Sequence, residues 1–198
     1  MFGGMQTRER IVRSAAKLFI TRSYHSVGVS DLCAAANVHK GSFYHFFSSK
    51  ADVAKAVIDL HAGEMEQRQA ESENRDPAVR LLAVASAVTL VQTGFEEQFG
   101  RIVGCPFGNL AAELSTTDKA LREYVAAVLG RWEARLADAC HDAAEHAALR
   151  DGIEPDQLAH AILAQIQGLI LLAKVSERPA AEITSGLDAF LGLALRRP

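Results

Sequence analysis

Apolar residues recur along most of this chain at the spacing of an amphipathic helix rather than of a strand. From Thr7 to Thr21 they fall at Ile11, Ala15, Leu18 and Phe19, with Arg8, Arg10, Arg13 and Lys17 outside the stripe. A loop at Ser23 to Val27 precedes a run of about two turns, Gly28 to Ala36, which Asn37 ends because asparagine tolerates the left-handed conformation. Lys40 to Phe47 forms another short helix with Phe43, Phe46 and Phe47 on its buried side. Ser49-Lys50-Ala51-Asp52 then reads as a capping box that opens a longer helix to about Gln69.

The pattern stays helical beyond a polar tract, Glu64 to Asp76, where the domain boundary is placed. Helices are predicted over Pro77 to Phe99, Pro106 to Leu114, Asp118 to about Leu149, Pro155 to Val175 and Pro179 to Leu195. Sustained apolar and polar alternation between hairpin turns is missing, so the expected class is all-α. Residues 1–50, with a linking helix to about 70, have the dimensions of a helix-turn-helix domain. Residues 71–198 form a helical bundle. Its last two helices are apolar around much of their circumference: Ile162, Leu163, Ile166, Leu169, Ile170 and Leu172 in one, Ile183, Leu187, Phe190, Leu191 and Leu195 in the other. Such helices need burial on more than one side, and a homodimer interface with close approach at Ala164 and Gly168 would supply it. An intramolecular core is the alternative.

Charge sharpens the division. Residues 1–60 carry 8 Lys/Arg against 4 Asp/Glu, while residues 61–198 carry 13 against 20, within a chain of net charge -3. A basic end on an acidic body would orient towards a polyanion, with His25, His39 and His45 as further donors, although a solvated face explains the charge equally well. The three cysteines, Cys33, Cys105 and Cys140, are far apart and form no CxxC pair, which speaks against a disulfide framework or a zinc knuckle. The apolar stretch from Ala161 to Ala173 is interrupted by Gln165 and Gln167 and falls short of a bilayer, and the first residues lack the apolar core of a signal peptide. The expectation is a cytoplasmic protein without membrane contact.

The run from Thr7 to Val57, and above all VHKGSFYHFFSSK, resembles the DNA-binding domain of the TetR family, whose members carry a Lys-Gly-x-x-Tyr-x-x-Phe core followed by Ser-Lys. The resemblance covers about a quarter of the chain. It implies a dimeric repressor that binds a palindromic double-stranded operator and lets go when a small-molecule effector enters the carboxyl-terminal domain. Gly28 stands where Thr or Ser often caps the second helix, Asn37 replaces the usual turn glycine, and His39 replaces the Ser or Thr before Lys40-Gly41. These departures leave the fold intact, but His39 would alter contacts and hence the operator sequence.

Lys40 at the start of the recognition helix can pair with a phosphate, Gly41 lets the helix backbone approach the duplex, and Ser42, Tyr44 and His45 complete the reading face, with His39 placed for a base or phosphate contact. Lys50, Ser30, Thr7 and Arg8 are candidates for phosphate contact. For the effector, apolar side chains with a few polar anchors are required. Phe95, Phe99, Phe107, Trp132, Leu136, Gln165 and Leu169 fit, and each also reads as plain core. Asn109, within GCPFGNLAAELS, needs a partner on an otherwise apolar helix; the segment is similar to one in a subgroup of TetR carboxyl-terminal domains. Cys105 precedes Pro106 at a helix amino terminus, where the dipole favours thiolate, and Lys174 lies in the apolar run GLILLAKVS. The two could make the site responsive to oxidants, electrophiles or an anion; an inert cysteine and a snorkelling lysine are the alternative.

An enzyme is disfavoured: the chain has no Gly-rich phosphate loop, HExxH or GxSxG, and His141, Glu145 and His146 read as a solvated face rather than a metal site. Neither a cofactor nor a metal is called for. An effector-independent DNA-binding protein remains the other rival.

Overall fold

The computed structural model describes residues 2–70 and 76–196, with side chains for residues 6–67 and 76–196. The middle of the polar tract proposed as a boundary, residues 71–75, lies outside them. The described residues form nine helices: α1 Phe2–Thr21, α2 Val29–Ala36, α3 Lys40–Phe46, α4 Lys50–Ala70, α5 Pro77–Phe99, α6 Pro106–Leu114, α7 Lys119–Glu145, α8 Pro155–Val175 and α9 Ala180–Ala194. They contain no strand, so the all-α class holds.

The contacts divide the chain into two compact units, one of residues 1–65 and 106–128, the other of residues 66–105 and 129–198. The division falls inside α4 and α7, and it groups α6 with the amino-terminal helices.

In the first unit, α1 packs on α2, α3 and α6. Its stripe closes into the core through Ile11, Val12, Ala15, Ala16, Phe19 and Ile20, all buried, where Leu32, Phe43, Val53 and Val57 join it. Asn37 takes the left-handed conformation, φ 51° and ψ 56°, and its N–H donates to Ala34 O and Cys33 O. This stops α2 after eight residues. Ser49 caps α4 by accepting the Asp52 N–H at 3.1 Å, while its hydroxyl donates to Asp52 Oδ2 at 2.9 Å. Phe46, expected in the core, is only half-buried and meets the His45 ring edge-on, whereas Phe43 is fully enclosed.

In the second unit, α9 packs on α5 and α8. Asp76 caps α5 through the N–H groups of Ala78 and Val79, and Pro77 occupies a first-turn position where no amide is needed. No side chain of its own caps α9; instead Glu96 Oε2 on α5 accepts the Ala180 N–H at 3.2 Å. Leu187 and Leu191 are 1% exposed, and Gly186 gives Leu169 of α8 room to enter: a Cβ there would lie 2.6 Å from Leu169 Cδ2. Leu171, Leu172, Val175 and Leu193 are instead 59%, 62%, 72% and 70% exposed in the single chain. The second apolar side of α8 and α9 is therefore real, but Leu172 is not among the residues that the monomer buries.

Two expectations need correction. The helix predicted to run to about Leu149 ends at Glu145, because Ala147 turns left-handed (φ 55°) and Ala148 N–H returns to Ala143 O at 2.8 Å. The apolar residues that continued the period serve a different purpose. Leu149 forms an isolated antiparallel bridge with Leu195, through Arg150 N–H to Ala194 O at 2.9 Å and Arg196 N–H to Ala148 O at 2.8 Å. Second, α5 and α8, of 23 and 21 residues, are each long and apolar enough to cross a membrane by length and composition, contrary to the reading of the Ala161 to Ala173 run. Each buries one stripe within its unit, Leu81, Ala85 and Val88 on α5 and Leu158, Ile162, Ile166 and Ile170 on α8, which is also the pattern of helices that build a core.

The Gly186 notch predicts that Gly186→Val forces Leu169 from its seat and lowers stability by about 1–3 kcal/mol. Gly130→Ala, inside α7 with nothing within 4 Å of the added carbon, should instead raise it by roughly 0.5–1 kcal/mol. Urea unfolding midpoints of the two variants check the opposite signs.

Candidate nucleic-acid interface

Helix α3 has only seven residues, too few to stand alone in water, and is held by what it buries. Phe43 is 0% and Phe47 4% exposed, and their rings lie 6.0 Å apart. With Phe43 fixed inward, the next residue must face outward: Tyr44 is 55% exposed, its ring edge-on to Phe43 at 5.3 Å. Lys40, Gly41, Ser42 and His45 are exposed as well, so the predicted reading residues share one accessible short helix. A Cβ on Gly41 would meet nothing within 4 Å, so packing inside the protein does not require its lack of a side chain. His39 occupies the cap position of α3 in extended backbone and makes no side-chain cap bond. Ser30 is exposed in the first turn of α2.

The outer cations are placed differently from one another. Arg8 is exposed and lays its guanidinium 5.1 Å above the Phe47 ring, while Thr7 is half-buried. Lys50 was expected to offer its ammonium to a phosphate. Its Nζ instead donates to Tyr24 O and Val27 O, both at 3.0 Å, and lies 4.1 Å from the centre of the Tyr24 ring. Burial lowers its pKa below the ordinary lysine value, and the Glu113 carboxylate pulls it back up. The lysine is thus built into the α1–α2 loop. Tyr24 is buried too, and its pKa is raised chiefly by that burial, with Asp118 and Asp52 adding to the effect.

The candidate effector residues are distributed over both units. Phe107 and Asn109 fall in the first, where Phe107 is buried with its ring 6.3 Å from His61 and Asn109 is half-buried. Phe95, Phe99, Cys105, Trp132, Gln165, Leu169 and Lys174 fall in the second. There Phe95 and Phe99 pair at 6.1 Å, Leu169 fills the Gly186 notch, and Trp132 and Gln165 are half-buried. Cys105 is buried and its Sγ accepts from Gln167 Nε2 at 3.6 Å; Lys174 is exposed.

Three polar groups were missed. Gln92 is 2% exposed and its Oε1 finds no partner among the described residues, an uncommon and costly state for a buried amide. Its position, following Leu81, Ala85 and Val88 at helical spacing, was the available signal. His61 likewise follows Val57 on the inner side of α4. It borders a small recess lined by Ala16, Phe19, Ile20, Val57, Pro106 and Leu110, with Nε2 unpartnered among the described residues and Nδ1 3.4 Å from Glu64. Glu113 on α6 accepts from the Tyr24 and His25 amides, and with the partners 89 and 88 positions apart no local pattern signals it. No group of three or more metal-ligating side chains occurs among the described residues.

Residues 11–57 match the model of the bacterial regulatory proteins of the tetR family, and residues 77–185 match the tetracyclin repressor-like C-terminal domain. Among curated relatives, the transcriptional regulator AcuR of Cereibacter sphaeroides is 31% identical over 171 residues, covering 86% of this chain and 78% of that protein. The transcriptional repressor NemR of Escherichia coli is 32% identical over 176 residues, covering 86% and 85%. The reduced form of E. coli NemR superposes with a TM-score of 0.79 at 29% identity, over 97% of this chain and 98% of that one. A TetR transcriptional regulator from Chloroflexus aurantiacus gives 0.85 at 27% identity over the whole of both chains. With an exposed short helix carrying the Lys-Gly-x-x-Tyr motif, a helical second unit, and both family models matched in chain order, the protein belongs to the TetR family of bacterial transcription regulators.

Proposed function

We propose that the protein is a cytoplasmic homodimeric repressor that grips a palindromic operator through α3 of each protomer and releases it when a small molecule enters the carboxyl-terminal domain, residues 71–198. The observation that carries the DNA reading is the pairing of a sealed Phe43 with an exposed Tyr44 on a helix that also displays Lys40, Ser42 and His45. Tyr44, His45 and Ser42 would meet base edges or sugar, while Lys40, His39, Ser30, Thr7 and Arg8 would hold phosphates. Dimerisation is assigned to α8 and α9, where Leu171, Leu172, Val175 and Leu193 present apolar surface that one chain does not cover. Gln92 is added to the effector candidates, because a donor on the ligand would satisfy its Oε1.

A second reading, in which the signal is an electrophile or oxidant acting at Cys105, is favoured by the setting of the cysteines. Cys140 is fully buried and burial, with Asp156 in support, pushes its pKa to about 11, so it stays a thiol. Cys33 and Cys105 are buried alike, at 6% and 7% exposed, but Cys105 alone of the two stands immediately before a helix, α6, and has an amide donor on its sulfur. The relative from E. coli was solved in a form described as reduced.

The function is tested with duplexes from the region upstream of the protein's own gene. Binding there no tighter than to an unrelated duplex would sink the repressor reading. Tyr44→Ala should weaken operator binding by about tenfold or more while leaving the dimer intact in sedimentation. Lys40→Ala should weaken all duplexes and reduce the salt dependence by about one phosphate per protomer. For the second reading, wild type should leave the operator on treatment with N-ethylmaleimide and Cys105→Ser should stay bound; equal release of both removes the thiol from the mechanism.

A further inference from the structure

The loop between α1 and α2, residues 22–28, is held from two sides by side chains that come from elsewhere in the first unit. Lys50 takes its carbonyls, as described above. Its amides are taken by Glu113 on α6: Oε1 accepts Tyr24 N–H at 3.1 Å and Oε2 accepts His25 N–H at 3.2 Å, with His25 Nδ1 3.3 Å from the same oxygen. The loop also closes on itself, since Ser23 N–H donates to Ser26 Oγ and Ser26 N–H to Ser23 Oγ. Its last residue is Gly28, whose N–H donates to Asp31 Oδ2 and which stands at the cap position of α2. The loop thus leads straight into the amino-terminal end of α2, which the Asn37 turn joins to α3.

The charge of Glu113 runs against the surroundings. Its neighbours belong to the end of the chain with an excess of four positive charges, which must approach a polyanion, and a carboxylate there opposes the approach. Two charge-assisted bonds to backbone amides give the carboxylate a different purpose. Both oxygens are used, one per amide, which a primary amide side chain cannot reproduce because its nitrogen would face an N–H.

We propose that Glu113 is a positioning residue for operator binding, holding the α1–α2 loop so that α2 and α3 keep the geometry that fits the duplex. Helix α6, which lies outside the helix-turn-helix and follows Cys105 directly in the chain, then sets DNA affinity. The inference rests on operator binding through α3.

The test compares Glu113→Gln, which keeps shape and loses charge, with Glu113→Asp, which keeps charge and is one methylene too short. Operator and unrelated duplexes are titrated by fluorescence anisotropy, with thermal melting recorded for each variant. Both variants should lose about tenfold in operator affinity. Affinity for the unrelated duplex should hold within about twofold, because it depends on the phosphate-facing cations that remain. A merely repulsive carboxylate gives the opposite sign: Glu113→Gln would bind both duplexes more tightly, and that result overturns the proposal. Equal losses on both duplexes, or an Asp variant indistinguishable from wild type, overturn it as well. If wild type itself does not prefer operator, the proposal falls with the reading it rests on; if wild type prefers it and both variants keep that preference undiminished, the role of Glu113 alone is wrong.

Discussion

The enclosure of Phe43 is the constraint on which the DNA-facing part of this molecule depends. Helices α2 and α3 have eight and seven residues, below the length at which an isolated helix persists in water. Each exists because one face is buried, Leu32, Cys33 and Ala36 in α2 and Phe43 in α3, against the continuous stripe of α1. The same packing that makes α3 a helix fixes its rotation about its own axis. What is displayed to solvent, Lys40, Ser42, Tyr44 and His45, follows from what is hidden.

Family membership makes the protein a DNA-binding transcription regulator and not an enzyme, and the two units carry distinct physical character. The first places short helices around an aromatic and aliphatic centre and ties its loop with charged side chains. The second is built from long helices joined at their surface by ion pairs such as Arg135–Glu66 and His160–Glu133, with further polar contacts that include Glu96 at the start of α9, a hydroxyl pair between Thr89 and Thr184, and Gln167 at the Cys105 sulfur. Buried polar groups are costly when unpaired, so Gln92 stands out in a way that an exposed glutamine would not.

Much of this was legible in the sequence because helical period, caps and turn residues are local. The Asn37 break, the Ser49 cap and the Pro77 start each depend on residues within four positions. The Tyr44 display follows from the phase of Phe43 and Phe47. Local rules failed where distant segments decide. Periodicity carried α7 past Glu145, since Leu149 is apolar for the sake of Leu195, 46 positions later. Lys50 looked like a free cation because its acceptors are carbonyls 23 and 26 residues away, which no side-chain pattern records. Glu113 left no trace at all, for it recognises backbone, and backbone has no sequence.

The seat of Leu169 against Gly186 has a consequence for the surface on the other side of the same helices. Because a missing side chain on α9 admits a branched one from α8, the two helices are keyed at a fixed axial offset rather than free to slide. The exposed Leu171, Leu172, Val175 and Leu193 of these two helices are thereby held in a fixed arrangement. A surface organised in advance surrenders little rotational or translational entropy within itself on association, so more of the hydrophobic free energy of covering it is retained as affinity.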